Sequence, residues 1–130
     1  MRILVGYNGS VESKAAVRLA GELAGPLGAR VEVMTSMEGG PRERPEDIAA
    51  AEAHLKEASE IMAGRGVTCE VFQSVRGLSP GEDLVDYAKE KAVDLIVVGV
   101  EKRSKTQKIL LGSTAQYIIL KAPCPVLTVK

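Results

Sequence analysis

"DLIVVG", residues 94–99, decides the fold. A nearly unbroken aliphatic run bounded by Asp94 and Gly99 has no polar face to turn to water. It therefore reads as a strand buried on both faces, the condition of a parallel sheet covered by helices. "RILVGY" (2–7) is a second short apolar run, and Asn8-Gly9-Ser10 closes it with a turn signal. "RVEVMTS" (30–36) and "VTCEVFQSV" (67–75) are rich in β-formers, and "PVLTV" (125–129) is the last strand.

Helical patterns fill the intervals. Residues 11–24 carry a stripe at Val17, Ala20, Leu23 and Ala24, with Ser10 as N-cap and Gly25-Pro26 as the stop. Residues 46–63 place Ile48, Ala51, Leu55, Ala58 and Met62 on one side, ended by Gly64 and Gly66. Ser79-Pro80-Gly81-Glu82 reads as a capping box with proline at the first helical position. Its helix runs through Leu84, Val85 and Ala88 to about Ala92, with Glu82, Asp83 and Asp86 read as cap and solvated face. A last helix over 113–122 turns Ala115, Ile118, Ile119 and Ala122 inward, and Pro123 ends it. Strands that alternate with helices are parallel and joined by right-handed crossovers. The expectation is an α/β domain over residues 1–130, with five strands in one doubly wound sheet.

The composition agrees with such a domain. The 130 residues are 45% hydrophobic and 26% charged but only 3% aromatic, so the core is aliphatic. Lys+Arg and Asp+Glu both number 17, and a net charge of zero argues against a dedicated nucleic-acid binder. Cys69 and Cys124 lack metal or CxxC spacing and read as buried free thiols. No run approaches the ~18 apolar residues of a membrane span, and no signal peptide is evident, so a cytosolic protein is expected.

The candidate site lies at the strand ends, where ligands of doubly wound sheets bind. Gly99 permits close approach at a strand tip. A basic stretch with Lys102, Arg103, Lys105 and Lys108 follows, and Gly112-Ser113-Thr114 opens the last helix. A helix N-terminus offers unpaired N–H groups and the positive end of its dipole to an anion. Two readings stand for Gly112-Ser113: a phosphate cradle or an ordinary cap. Asn8-Gly9-Ser10 likewise is either a turn with its cap or a donor and acceptor, through the Asn8 amide, for a base or ribose.

"ILVGYNGS", "DLIVVG" and "LLGSTAQYIILKAPCPVLTVK" together make the chain resemble the universal stress protein family over its whole length. The resemblance implies a Rossmann-like sheet of strand order 3-2-1-4-5 with helices on both faces. It also implies a homodimer, often paired through the last strand, here residues 125–129. One branch of the family binds ATP through G-x2-G-x9-G-(S/T). That pattern falls here on Gly99, position 102 and Gly112-Ser113, with Lys102 in place of the second glycine. The family's Asp after strand 1 is Asn8 here, and the end of strand 2 near Ser36 would flank an adenine. The implied set is Tyr7, Asn8, Ser36, Gly99, Lys102, Arg103, Gly112, Ser113 and Thr114, for ATP, ADP or AMP with Mg²⁺ as companion.

No catalytic residue or metal ligand is assigned. His54, mid-helix, reads as surface or packing, and no Walker lysine motif is present. The leading reading is a nucleotide-binding stress-response regulator in the cytoplasm, without nucleic-acid or membrane partners. A dimeric protein-contact module that binds no nucleotide, with an unidentified protein partner, is the alternative. A slow, incidental ATP hydrolase is the third.

Overall fold

A computed structural model describes residues 1–37, 39–41, 43–101 and 112–130. Its elements are β1 (Arg2–Gly6), α1 (Val11–Leu27), β2 (Arg30–Met37), α2 (Pro45–Met62), β3 (Cys69–Val75), α3 (Pro80–Glu90), β4 (Leu95–Gly99), α4 (Ser113–Lys121) and β5 (Val126–Val129). The strands form one parallel sheet in the order β3-β2-β1-β4-β5. Both the alternation of elements and the strand order agree with the sequence reading.

The period-2 alternation of a strand divides its side chains between two cores. On one face Ile3, Val5, Val31, Val33 and Val97 meet Ala16, Val17, Ala20 and Ala24 of α1 and Ala58 and Met62 of α2. On the other, Leu4, Met34, Ile96 and Val98 meet Leu84, Val85 and Ala88 of α3 and Ile118 of α4. The α1 helix contributes alanines to its seam, so it packs close to the strands. Glu32 lies in β2 with its side chain buried. Its carboxylate accepts hydrogen bonds from the Tyr87 hydroxyl at 3.0 Å and from Arg2 at 3.4 Å.

Several local readings are corrected. The Gly25-Pro26 pair does not stop α1, which continues to Leu27. Part of a helical proline's clash is with the Cβ of the residue before it, and Gly25 has none. The stop is Gly28, at φ 60°, where the N–H of Ala29 reaches back to the Ala24 carbonyl at 2.8 Å. Helix α3 ends at Glu90 rather than near Ala92, because Ala92 takes a left-handed φ of 52°. Ser79 caps α3 without the capping-box bond. Its hydroxyl donates instead to the Glu82 carboxylate at 2.7 Å. Ile48 and Ile119, expected inward, are 46% and 43% exposed, because both lie past the edge of the stripe that reaches the sheet. Cys69 and Cys124 are free thiols but only partly buried.

Gly99 fixes where α1 begins. A Cβ at this position would lie 2.4 Å from the Glu12 carbonyl carbon and 2.6 Å from the Ser13 nitrogen, both backbone atoms that cannot rotate away. The close approach inferred for Gly99 is therefore to the first turn of α1. Gly99→Ala should lower stability by about 3 kcal/mol, the upper end of overpacking costs, read as a fall in the denaturation midpoint at unchanged slope. A midpoint within error of the parent would contradict this packing.

Candidate functional site

The tips of β1 and β4 lie side by side at the centre of the sheet, with β2 on the far side of β1. After β1 the chain makes a tight turn. The Ser10 N–H donates to Asn8 Oδ1 at 3.1 Å, and the Ser10 hydroxyl accepts from the Ser13 N–H at 3.1 Å, capping α1. The turn-and-cap reading of Asn8-Gly9-Ser10 is thus realised, and the same residues border the space above the strand tips.

That space holds about 190 Å³, and its lining includes Tyr7, Asn8, Ser36, Gly99, Gly112, Ser113 and Thr114. One water claims roughly 30 Å³, so the cleft admits an organic ligand. Every expected site residue within the described set borders this one cleft. Lys102 and Arg103, also expected there, lie outside the described residues. The α4 end of the cleft has the character of an anion site. Its N-cap is Gly112, which has no side chain to cap the first turn, and the first helical bond runs from the Gln116 N–H to the Gly112 carbonyl at 3.1 Å.

Sequence reasoning missed much of the wall, including Ser13, Pro80 and Leu84. Ser13 is buried, with its hydroxyl donating to the Ser10 carbonyl at 3.0 Å. Pro80 and Leu84 belong to the start of α3. The one local signal was Ser79-Pro80, which marks a helix start but not what the helix faces.

Asp83 corrects a sequence reading outright. It is fully buried, not part of a solvated face. Its Oδ2 accepts from the Ser36 hydroxyl at 2.6 Å, and its Oδ1 accepts from the Ser74 hydroxyl at 3.0 Å and from Arg76 Nε at 2.8 Å. Arg76 in turn reaches Glu90 at 3.1 Å. Ser36 and Ser74 are register partners in adjacent strands, so both hydroxyls point to the α3 side of the sheet. A buried carboxylate is tolerable there only because every oxygen is matched by a donor and an arginine. It pins the ends of β2 and β3 to α3 and thereby holds Ser36 at the cleft.

A second cluster backs the other wall. Tyr7 is buried, its hydroxyl donates to Glu57 Oε2 at 2.8 Å, and His54 meets its ring edge-on at 5.9 Å. The packing reading of His54 fits this contact. Burial first, then the hydrogen bond and charge of Glu57, push the Tyr7 phenol well above its ordinary value. The same hydrogen bond holds the Glu57 carboxyl below its usual range. Among the described residues no cluster of three His, Cys, Asp or Glu side chains could hold a metal ion, and no helix is long and apolar enough to cross a membrane.

The family model of the universal stress protein family matches residues 1–130. A universal stress protein of Thermus aquaticus is 34% identical, with 98% of this chain and 97% of that protein covered. Matches to universal stress proteins of Methanocaldococcus jannaschii and Mycolicibacterium smegmatis span only 30% and 61% of those relatives. Among solved structures, a universal stress protein from Archaeoglobus fulgidus is 39% identical with a TM-score of 0.92, covering 100% of this chain and 98% of that one. Another from the same organism, in complex with dAMP, is 35% identical with a TM-score of 0.86 at the same coverage.

The phenols make alkaline stability a test of this packing. Burial and the bond to Glu32 push Tyr87 up to about 12, and Tyr7 is raised as well. A phenol raised in the folded state stabilises fully below its unfolded value near 10 and loses that contribution as pH climbs through the folded value. Stability should therefore fall between pH 10 and 12, and Tyr7→Phe should flatten the fall, measured by urea midpoints across that range. Parallel curves for parent and variant would show Tyr7 to be unperturbed.

Proposed function

The chain belongs to the universal stress protein family, and we propose that this member is a regulatory module that binds an adenine nucleotide in the cleft at its strand tips. One observation carries the reading: the residues that line the cleft join a helix N-terminus with a glycine N-cap to polar groups at the ends of β1 and β2. Phosphates would sit at Gly112, Ser113 and Thr114, where backbone N–H groups and hydroxyls converge. The base and ribose would lie towards Asn8, Tyr7 and Ser36. The dAMP complex of the 35% identical relative supports the same ligand class. Lys102 and Arg103 would supply charge to the phosphates, and Mg²⁺ would enter with ADP or ATP rather than on protein ligands.

The module is a binder rather than a catalyst. Glu101 is the one carboxylate among the described lining residues, which include no histidine or cysteine. The carboxylate bonded to the Ser36 hydroxyl, Asp83, is itself held by Ser74 and Arg76 in a structural cluster. Lys102 at the position of the family pattern's second glycine favours the second reading, a protein-contact module that binds no nucleotide.

Either reading works as a dimer through β5. The Ile96 N–H donates to the Pro125 carbonyl and the Val100 N–H to the Val129 carbonyl. Residues 125, 127 and 129 thus bond to β4, and the backbone groups of Val126 and Thr128 face away from the sheet. That edge, unpaired among the described residues and with Leu127 37% exposed, is a template for a second copy. Thr128→Pro removes an outward N–H and leaves the bonds to β4 intact. Sedimentation should then give a dimer for the parent and a monomer for the variant. A variant that stays dimeric would place the interface elsewhere.

Calorimetric titration of protein stripped of co-purified nucleotide tests the ligand. Micromolar binding of AMP or ATP, weakened about tenfold or more by Gly112→Val, which crowds the phosphate end, is the expected outcome. An absence of heat with every adenine nucleotide would leave the protein-contact reading.

A further inference from the structure

We propose that Asp83, which does not line the cleft, sets its base preference by fixing Ser36 as a hydrogen-bond acceptor, so that the cleft selects a purine bearing a 6-amino group over one bearing a 6-oxo group. The inference rests on the nucleotide reading above and names the group that reads the base. A hydroxyl has one proton to give. That of Ser36 is committed to Asp83 Oδ2 at 2.6 Å, in a charge-assisted bond that is short and strong. What Ser36 can offer the cleft is therefore lone-pair density, which pairs with an amino hydrogen and repels a carbonyl oxygen.

The commitment is enforced from the far side of the carboxylate. Asp83 is fully buried, and its Oδ1 is held by the Ser74 hydroxyl and by Arg76 Nε at 2.8 Å, with Arg76 NH2 at 2.7 Å. Arg76 also donates to the Asp83 backbone carbonyl at 3.1 Å. The carboxylate cannot turn, and among the described residues Ser36 is the one hydrogen-bond donor to Oδ2. The place of Ser36 follows from the sheet order: β2 lies across β1 from β4, at the end of the cleft away from Gly99. With phosphates at α4, the base reaches that end.

Two substitutions separate the roles. In Asp83→Asn the amide oxygen must stay with Arg76 and Ser74, where only an acceptor fits. The amide nitrogen then faces Ser36 and donates to it, freeing the Ser36 proton for the cleft. Ser36→Ala removes the acceptor altogether. AMP and IMP, which carry an amino group and an oxygen at position 6, are titrated into parent and both variants. The parent should prefer AMP by about tenfold, the scale of one unpaired polar contact. Ser36→Ala should lose this preference because AMP weakens. Asp83→Asn should lose it because IMP strengthens, a gain that no structural defect would produce. A parent that binds the two equally or prefers IMP would overturn the inference, as would a parent ratio retained in both variants. Should Asp83→Asn not fold, Ser36→Ala decides alone. Binding of neither nucleotide to the parent would remove the nucleotide reading itself and this inference with it.

Discussion

A parallel strand buried on both faces has to serve two cores with one alternating row of side chains, and most of this molecule follows from that. In β1, Ile3 and Val5 go to the α1 and α2 side and Leu4 to the α3 and α4 side. In β4, Val97 goes to the first and Ile96 and Val98 to the second. The central residues of these strands, 3–5 and 96–98, are all buried, so polar chemistry is pushed to where the strands end. There the backbone turns away, helices begin with unpaired N–H groups, and the cleft forms.

The same alternation explains the buried charge. Following β2 along the α3 side gives Glu32, Met34 and Ser36, and following β3 gives Phe72 and Ser74. The apolar stretch gives out at the strand tips, and two hydroxyls arrive opposite each other. Asp83, on the first turns of α3, gathers both and takes its countercharge from Arg76, which remains partly in solvent. Burying a charge stabilises little by itself. What it contributes is register: β2, β3 and α3 cannot slide past one another without stranding a carboxylate.

The strands and their order were legible because parallel burial writes itself as unbroken aliphatic runs such as Leu95–Gly99. Part of the cleft border was legible too, since strand tips and a Gly-Ser-Thr helix start are local signals. Asp83 was not. An acidic residue in the first turn of a helix looks like a dipole partner, and only the pairing of Ser36 with Ser74, distant in sequence, reveals what it touches. The false stop at Gly25-Pro26 has the opposite origin, a local stop signal that is weakened when the residue before proline is glycine and that falls one residue before the end of α1. Ile119 was misplaced because α4 touches the sheet along a stripe narrower than its apolar content.

Gly99 against the first turn of α1 has a consequence for how such a scaffold diverges. The contact that shapes the rim is made between backbone atoms and involves no ligand, so the rim persists whether or not anything occupies it. Side chains around the opening can therefore be exchanged without disturbing this backbone contact. The glycine at the strand tip answers to the backbone behind it, whatever occupies the opening in front.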